Sequence, residues 1–270
     1  MNIPFTKMSG SGNDFVIIDN REGAVEDAVK RDFVKKVCRL KDSVGADGVI
    51  FIENSDRADY KWDFYNSDGS SAEMCGNGGR CVARYAYEKN IAPQTHSFET
   101  VAGIISAEVN GPMVKVKLTP PENLQEGLDV EFDGVHYKVD SVNTGVPHAI
   151  IFSEDVEKED IMTIGRSIRY HTVFAPAGTN VDLVQKQNGG PLKVRTYERG
   201  VEGETLACGT GVVASALIAQ QRFQIPSPVQ VETRGGDVLK VHIEPAEGSV
   251  PTVYLEGTAK LTFEGRIVEL

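Results

Sequence analysis

No stretch of this 270-residue chain carries the roughly 18 consecutive apolar side chains that a membrane-spanning helix requires. Its first residues, Met-Asn-Ile-Pro-Phe-Thr-Lys-Met, lack the apolar core of a signal peptide, so no membrane partner and a cytoplasmic location are expected. Cysteine is scarce: Cys38, Cys75, Cys81 and Cys208 are too few and too scattered for a secreted disulfide scaffold. No pair has C-x-x-C spacing, which argues against a thiol-disulfide oxidoreductase and against zinc. The five histidines, at 96, 136, 148, 171 and 242, form no ligand pair either, so no metal site is expected. Basic residues are also outnumbered, 28 Lys and Arg against 39 Asp and Glu for a net charge of −11, and they are dispersed. That excludes nucleic acid as the partner, because phosphate binding relies on clustered cations. An acidic chain that holds an anion must use an Arg or helix N-termini at short range.

What the chain does have is a repeat. Met74-Cys75-Gly76-Asn77-Gly78-Gly79-Arg80 and Ala207-Cys208-Gly209-Thr210-Gly211 each place Cys-Gly-x-Gly at the start of a helix-like segment. Glu99-Thr100-Val101-Ala102-Gly103 and Glu232-Thr233-Arg234-Gly235-Gly236 share Glu-Thr-x-x-Gly, and each lies 24 residues beyond its cysteine, 75 to 99 and 208 to 232. A third, weaker correspondence sets Gly12-Asn13-Asp14-Phe15 beside Gly178-Thr179-Asn180-Val181. Length alone allows one large domain or two ordinary ones, and the repeat favours two. Pro120-Pro121 marks the crossing between them.

Short strand-like runs dominate: 15–18, 49–53, 62–65, 113–118, 149–152, 181–184, 229–232 and 238–243. Val29, Phe33, Val34, Val37 and Cys38 recur at helical spacing, as do Ile161, Ile164, Gly165 and Ile168, which predicts two amphipathic surface helices. The segments after the two cysteines, 81–87 and 212–219, are rich in small and apolar residues, the second nearly all round. Such helices are enclosed, so each half is expected to wrap strands around a central helix.

Glycines after a Cys at a helix start leave backbone N–H groups open to a ligand, an anion cradle. The same position stabilises a thiolate, whose pKa falls from about 8.5 into a range of roughly 3.5 to 7.5. Two such motifs facing each other would hold one carboxylate between helix N-termini, with a sulfur on each face of the neighbouring carbon. One thiolate then removes the α-proton while the opposite thiol delivers one, and N–H donors meet the enediolate charge. The blander reading, a tight strand-to-helix turn with a buried thiol, suits one isolated motif better than two matched copies. Cys81, which lacks a counterpart, and Cys38, on an apolar helix face, read as packing residues.

With these residues assembled, the chain closely resembles the diaminopimelate epimerases, cofactor-independent enzymes of bacterial lysine and cell-wall precursor synthesis. The carriers are Gly10-Ser11-Gly12-Asn13-Asp14-Phe15, Gly45-Ala46-Asp47-Gly48, Tyr65-Asn66-Ser67-Asp68-Gly69-Ser70 running into Cys75, Gly145-Val146-Pro147-His148, Asn180, and Tyr197-Glu198-Arg199-Gly200 leading to Cys208. The resemblance spans essentially the full length. It implies an α+β fold of two pseudo-symmetric domains, each a mixed, mostly antiparallel sheet or barrel around a central helix. One half would cover 1–118 with strand 262–270 returning to it, the other 119–261, with the active site in the cleft between them. Cys75 and Cys208 would be the acid-base pair. Backbone N–H groups of Gly76, Asn77, Gly209 and Thr210 would hold the reacting carboxylate. Asn13, Asn66, Asn180, Glu198 and Arg199 would recognise the substrate, and His148 with Glu198 would set thiol ionisation. The implied partner is the small-molecule substrate, with no cofactor, and the chain would form a homodimer.

Two positions depart from the better-known family pattern, Gly48 where some members have Gln and Val146 where many have Asn, and the loop Arg199–Thr205 is one residue longer. Both substitutions remove side-chain hydrogen bonds, which opens a rival reading as a racemase of another amino acid. A thiol-disulfide switch joining Cys75 to Cys208 is the alternative from outside enzyme chemistry.

Overall fold

Phe15, Val16, Ile17 and Ile18 are all buried, as are Val49 to Ile52, so the two most apolar runs are covered on both faces. They pair in parallel at the centre of the first of two units, Met1–Lys117 with Gly257–Leu270, and Leu118–Glu256. The computed structural model describes residues 1–72, 74–245 and 250–270.

In the first unit β1 (Ile3–Gly10) lies antiparallel to β2 (Asn13–Asp19), and α1 (Asp27–Val37) crosses to β3 (Gly48–Glu53), parallel to β2. Strand β4 (Tyr60–Asn66) runs antiparallel to β3, and α2 (Gly76–Glu88) crosses to β5 (Thr95–Thr100), parallel to β4. A meander of β6 (Gly103–Asn110) and β7 (Met113–Lys117) completes that series.

The second unit repeats this order. A hairpin of β8 (Glu122–Phe132) and β9 (Val135–Asn143) precedes β10 (Pro147–Phe152), α3 (Ile161–Arg169) and β11 (Asn180–Gln185), with β10 and β11 parallel. Then come β12 (Leu192–Glu198), the short β13 (Gly203–Thr205), α4 (Gly209–Phe223), β14 (Val229–Thr233) parallel to β12, β15 (Val238–Glu244) and β16 (Thr252–Thr258). The last strand, β17 (Lys260–Ile267), pairs antiparallel with β1 in the first unit.

Each unit encloses a helix, as its composition predicts. The interior face of α2, Cys81, Val82, Ala83 and Ala86, packs against β1, β2, β3, β6, β7 and β17. In α4 every residue from Gly211 to Ala219 is buried, against β9, β10, β11, β12, β14 and β15. Stacked Tyr60 and Phe98, with Trp62 beside them, fill the first unit's interior, each buried aromatic contributing about 1.5–3 kcal/mol by removal from water.

Two expectations need correction. In α1 Val29 is exposed, and the inward place falls to Lys30, whose ammonium is bound by Asp27, Glu53 and Asp63 at 2.6, 2.5 and 2.9 Å. The third repeat element is also misaligned. Strand order makes β10 the counterpart of β2, and β11 that of β3, so the segment before Val181 answers to Gly45-Ala46-Asp47-Gly48 rather than to Gly12-Asn13-Asp14-Phe15.

Candidate active site

Both cysteines of the repeat are helix N-caps with extended backbone, Cys75 at φ −146° before α2 and Cys208 at φ −118° before α4. A Cys-Gly step ends each strand-to-helix loop there, and the first N–H groups of a helix have no intrahelical acceptor. Neither cysteine is in a disulfide, Cys75 being half-buried and Cys208 buried.

In the first unit Cys75 Sγ accepts from Gly78 N–H at 3.4 Å. The second residue of the cradle, Asn77, is locked in place: its Nδ2 donates to Asn13 Oδ1 at 2.8 Å, and its Oδ1 accepts from Arg80 at 2.9 Å. Asn13 in turn donates to Asp47 Oδ2 at 3.0 Å. Arg80 is wholly buried, and its guanidinium also reaches Ser11 Oγ at 2.9 Å. The strand can lie this close because residue 10 is glycine; a Cβ there would meet Asn77 O at 2.9 Å and Cys81 Sγ at 3.0 Å. Asn66 stands at the exposed end of β4 and donates to Ser70 Oγ at 3.1 Å.

The second unit holds a different set. Cys208 Sγ lies 3.3 Å from Thr210 Oγ1, which lies 2.8 Å from His148 Nε2. The other ring nitrogen, Nδ1, is 2.6 Å from Asp182 Oδ2, and Asp182 Oδ1 accepts from Thr196 Oγ1 at 2.6 Å. Both His148 and Asp182 are fully buried. Burial alone would favour the neutral imidazole, but the charge and hydrogen bond of Asp182, with Cys208, push its pKa up to about 10. Asn180 is occupied by backbone: Oδ1 accepts from Arg199 N–H at 2.7 Å and Nδ2 donates to Pro147 O at 3.2 Å. The Arg199 guanidinium donates to Ala177 O at 3.1 Å, and Glu198 precedes it on β12. Loop 199–205 turns through left-handed Gly200 and Glu202, at φ 93° and 57°, with the Glu202 carboxylate accepting from Gly200 N–H. A bidentate pair, Arg195 to Glu204 at 2.7 and 3.0 Å, fastens β13 to β12 below it.

Thus Asn13 gathers with Asn77 in one unit, and His148, Asn180 and Thr210 with Cys208 in the other, with the Arg199 backbone held to Asn180, while Asn66 and Glu198 sit at strand ends. Ser11, Arg80, Thr196 and Asp182 are additional members. A signal for Asp182 existed, a lone acid inside the apolar run Val181–Val184; Arg80 closes its motif without any pattern to mark it. Burial pushes the thiols of Cys38 and Cys81 up to about 12, in keeping with packing roles. At Gly48 a Cβ would meet Tyr65 O at 2.6 Å and the Phe64 ring at 2.7 Å, so a longer residue has no room. Among the described residues, the one acidic trio spaced for a cation, Asp27, Glu53 and Asp63, is the group that binds Lys30. No described helix is long and apolar enough to cross a membrane.

The fold of two units, each enclosing a helix, is one seen in solved structures. A PhzF-family phenazine biosynthesis protein from Bacillus anthracis matches with a TM-score of 0.78 at 15% identity, covering 100% of both chains. A probable proline racemase from Agrobacterium radiobacter K84 matches at 0.74 and 14% identity, over 98% of this chain and 93% of that one. Sequence narrows the class. The diaminopimelate epimerase family model matches residues 5–124 and 141–262. The diaminopimelate epimerase of Aquifex aeolicus (strain VF5) is 48% identical over 276 residues, 98% of each chain. The chain belongs to the diaminopimelate epimerase family.

Proposed function

We propose that this chain interconverts LL- and meso-diaminopimelate by moving a proton between two cysteines, without a cofactor, in lysine and cell-wall precursor synthesis in the cytoplasm. The observation that carries the reading is the pair of cysteines outside any disulfide at matched helix N-caps, each followed by glycines that leave backbone N–H groups open. The halves 1–118, with 262–270, and 119–261 each contribute one thiol to a shared cleft. Cys75 and Cys208 then stand on opposite faces of the α-carbon, one as base and one as acid, exchanging roles with reaction direction. Charge that develops on the carboxylate is met by N–H groups of Gly76, Asn77, Gly209 and Thr210, placed before the reaction begins. Asn13, Asn66, Asn180, Glu198 and Arg199 recognise the substrate, including its distal amino-acid end, with Arg199 suited to a second carboxylate. The pair shares one proton, so it titrates as a unit. The enzyme acts as a homodimer in this reading.

Incubation with LL-diaminopimelate in D2O, without pyridoxal phosphate, is expected to yield the meso isomer carrying α-deuterium; absence of that product overturns the assignment. Cys75→Ala and Cys208→Ala are each expected to lower kcat by about 10³-fold or more with the fold retained. A racemase of another amino acid is the second reading, favoured by the missing polar side chains at Gly48 and Val146. Arg199→Met separates them, being severe toward a substrate with a distal carboxylate and nearly silent without one.

A further inference from the structure

The repeated fold permits a comparison within one chain. In each unit the third residue after the cysteine is a glycine pressed against the parallel strand pair. At Gly78 a Cβ would lie 3.3 Å from Ile50 of β3; at Gly211 it would lie 2.4 Å from Asp182 Oδ1 of β11. Ile50 and Asp182 therefore occupy matching places. Likewise Phe15 heads the β2–β3 ladder opposite Gly48, and His148 heads the β10–β11 ladder opposite Asn180. The architecture is satisfied by Ile50 and Phe15, both buried, in the first unit. A buried carboxylate and imidazole in the same places are costly to desolvate and are not demanded by packing.

We propose that Asp182 is a positioning residue that keeps a proton on His148, so that the chain His148–Thr210–Cys208 presents Cys208 as a thiolate in the resting protein. The proton leaving Sγ enters Thr210 Oγ1 as that hydroxyl's own proton passes to Nε2. The products are an imidazolium, a neutral Thr210 donating to S⁻, and an unchanged carboxylate. Geometry supports each link: 3.3, 2.8 and 2.6 Å from sulfur to hydroxyl to ring to carboxylate. Thr196, donating to the second Asp182 oxygen, fixes the carboxylate's orientation. The titratable partners of His148 are Asp182 from β11 and Cys208 ahead of α4; Thr210 and Asn180 are neutral, and Val142 is its β9 neighbour. Asn180 Nδ2, 3.4 Å from Nε2, is the longer contact and is given to Pro147 O at 3.2 Å. The raised imidazole pKa agrees with this arrangement.

The inference deepens the epimerase reading, but its main test needs no substrate. In Cys75→Ser protein burial pushes the thiols of Cys38 and Cys81 up to about 12, so they stay protonated through the neutral and mildly alkaline range and ultraviolet thiolate absorbance there reports Cys208. Adding Asp182→Asn, which keeps the shape but not the charge, should raise the midpoint of that absorbance by about one pH unit or more. In protein with both cysteines, Asp182→Asn should move the acidic limb of kcat/KM upward by a similar amount. An unmoved midpoint, or an activity loss equal at all pH values, overturns the proposal. If Asp182→Asn does not fold, ¹⁵N spectra of His148 in the unmodified protein decide the matter. Both ring nitrogens should be protonated above about pH 7.5, where free imidazole is neutral, and a neutral tautomer overturns the proposal. A failed diaminopimelate assay with these signatures intact would reject the substrate reading and leave the relay standing.

Discussion

Lys30 shows at residue scale how little of a charge's fate is written in its periodicity. Its side chain is 2% exposed, and burial alone would favour the neutral amine. Asp27, Glu53 and Asp63 outweigh that penalty and hold the folded pKa above the ordinary lysine value. A group whose pKa rises on folding stabilises fully below its unfolded value and loses that contribution as pH rises through the folded one. Lys30 should therefore leave stability unchanged below about pH 10.4 and erode it above. Lys30→Met is expected to cost about 3 kcal/mol in urea titrations at neutral pH, because Glu53 and Asp63 lose their counterion, and to remove the alkaline slope. An unchanged midpoint would show the trio to be solvated instead.

Elements rather than residues decide how closely a helix start approaches its sheet. Strand β1 reaches α2 only because Gly10 has no side chain. Gly10→Ala should push the two apart, lowering kcat about tenfold or more through misplacement of Asn77 while costing about 1–3 kcal/mol of stability. Comparing activity with thermal midpoint separates the effects; a full loss of fold with normal specific activity in the remaining protein would contradict this. The same scale marks the limits of legibility. The strand-like runs 15–18 and 49–52 are buried throughout and apolar, 113–117, 229–232 and 238–243 bury alternate residues, and α3 presents Ile161, Ile164, Gly165 and Ile168 inward as its spacing requires. Strand β8 escapes detection because nearly all its residues are exposed, so neither face carries an apolar alternation. Its hairpin nonetheless had a sign, Asp133-Gly134, both left-handed at φ 51° and 76°. The cysteine motifs were legible because both copies kept their glycines. The carboxylate behind His148 was marked only as a lone acid in an apolar strand, and its pairing with the imidazole was not legible because that partner lies across the ladder rather than nearby in sequence.

At the scale of the whole molecule, the first unit is built from both ends of the chain, while Leu118–Glu256 is continuous. Strand β1 has β2 on one edge and β17 on the other. Removing residues 260–270 should leave β1 with an open edge and uncover Phe5, which packs edge-on against Phe263. Truncation is expected to lower the urea midpoint followed by tryptophan fluorescence, since Trp62 is the only tryptophan and lies in this unit. A midpoint equal to that of the full chain would show β17 to be dispensable. The position of that indole has a further use. Its ring would stand 3.5 Å from a Cβ on Gly78, within the first turn of α2, whose N-cap is Cys75. The chain thus carries an optical probe of one half-site alone, so occupancy of the Cys75 helix start can be followed by light emission in a protein that is not turning over.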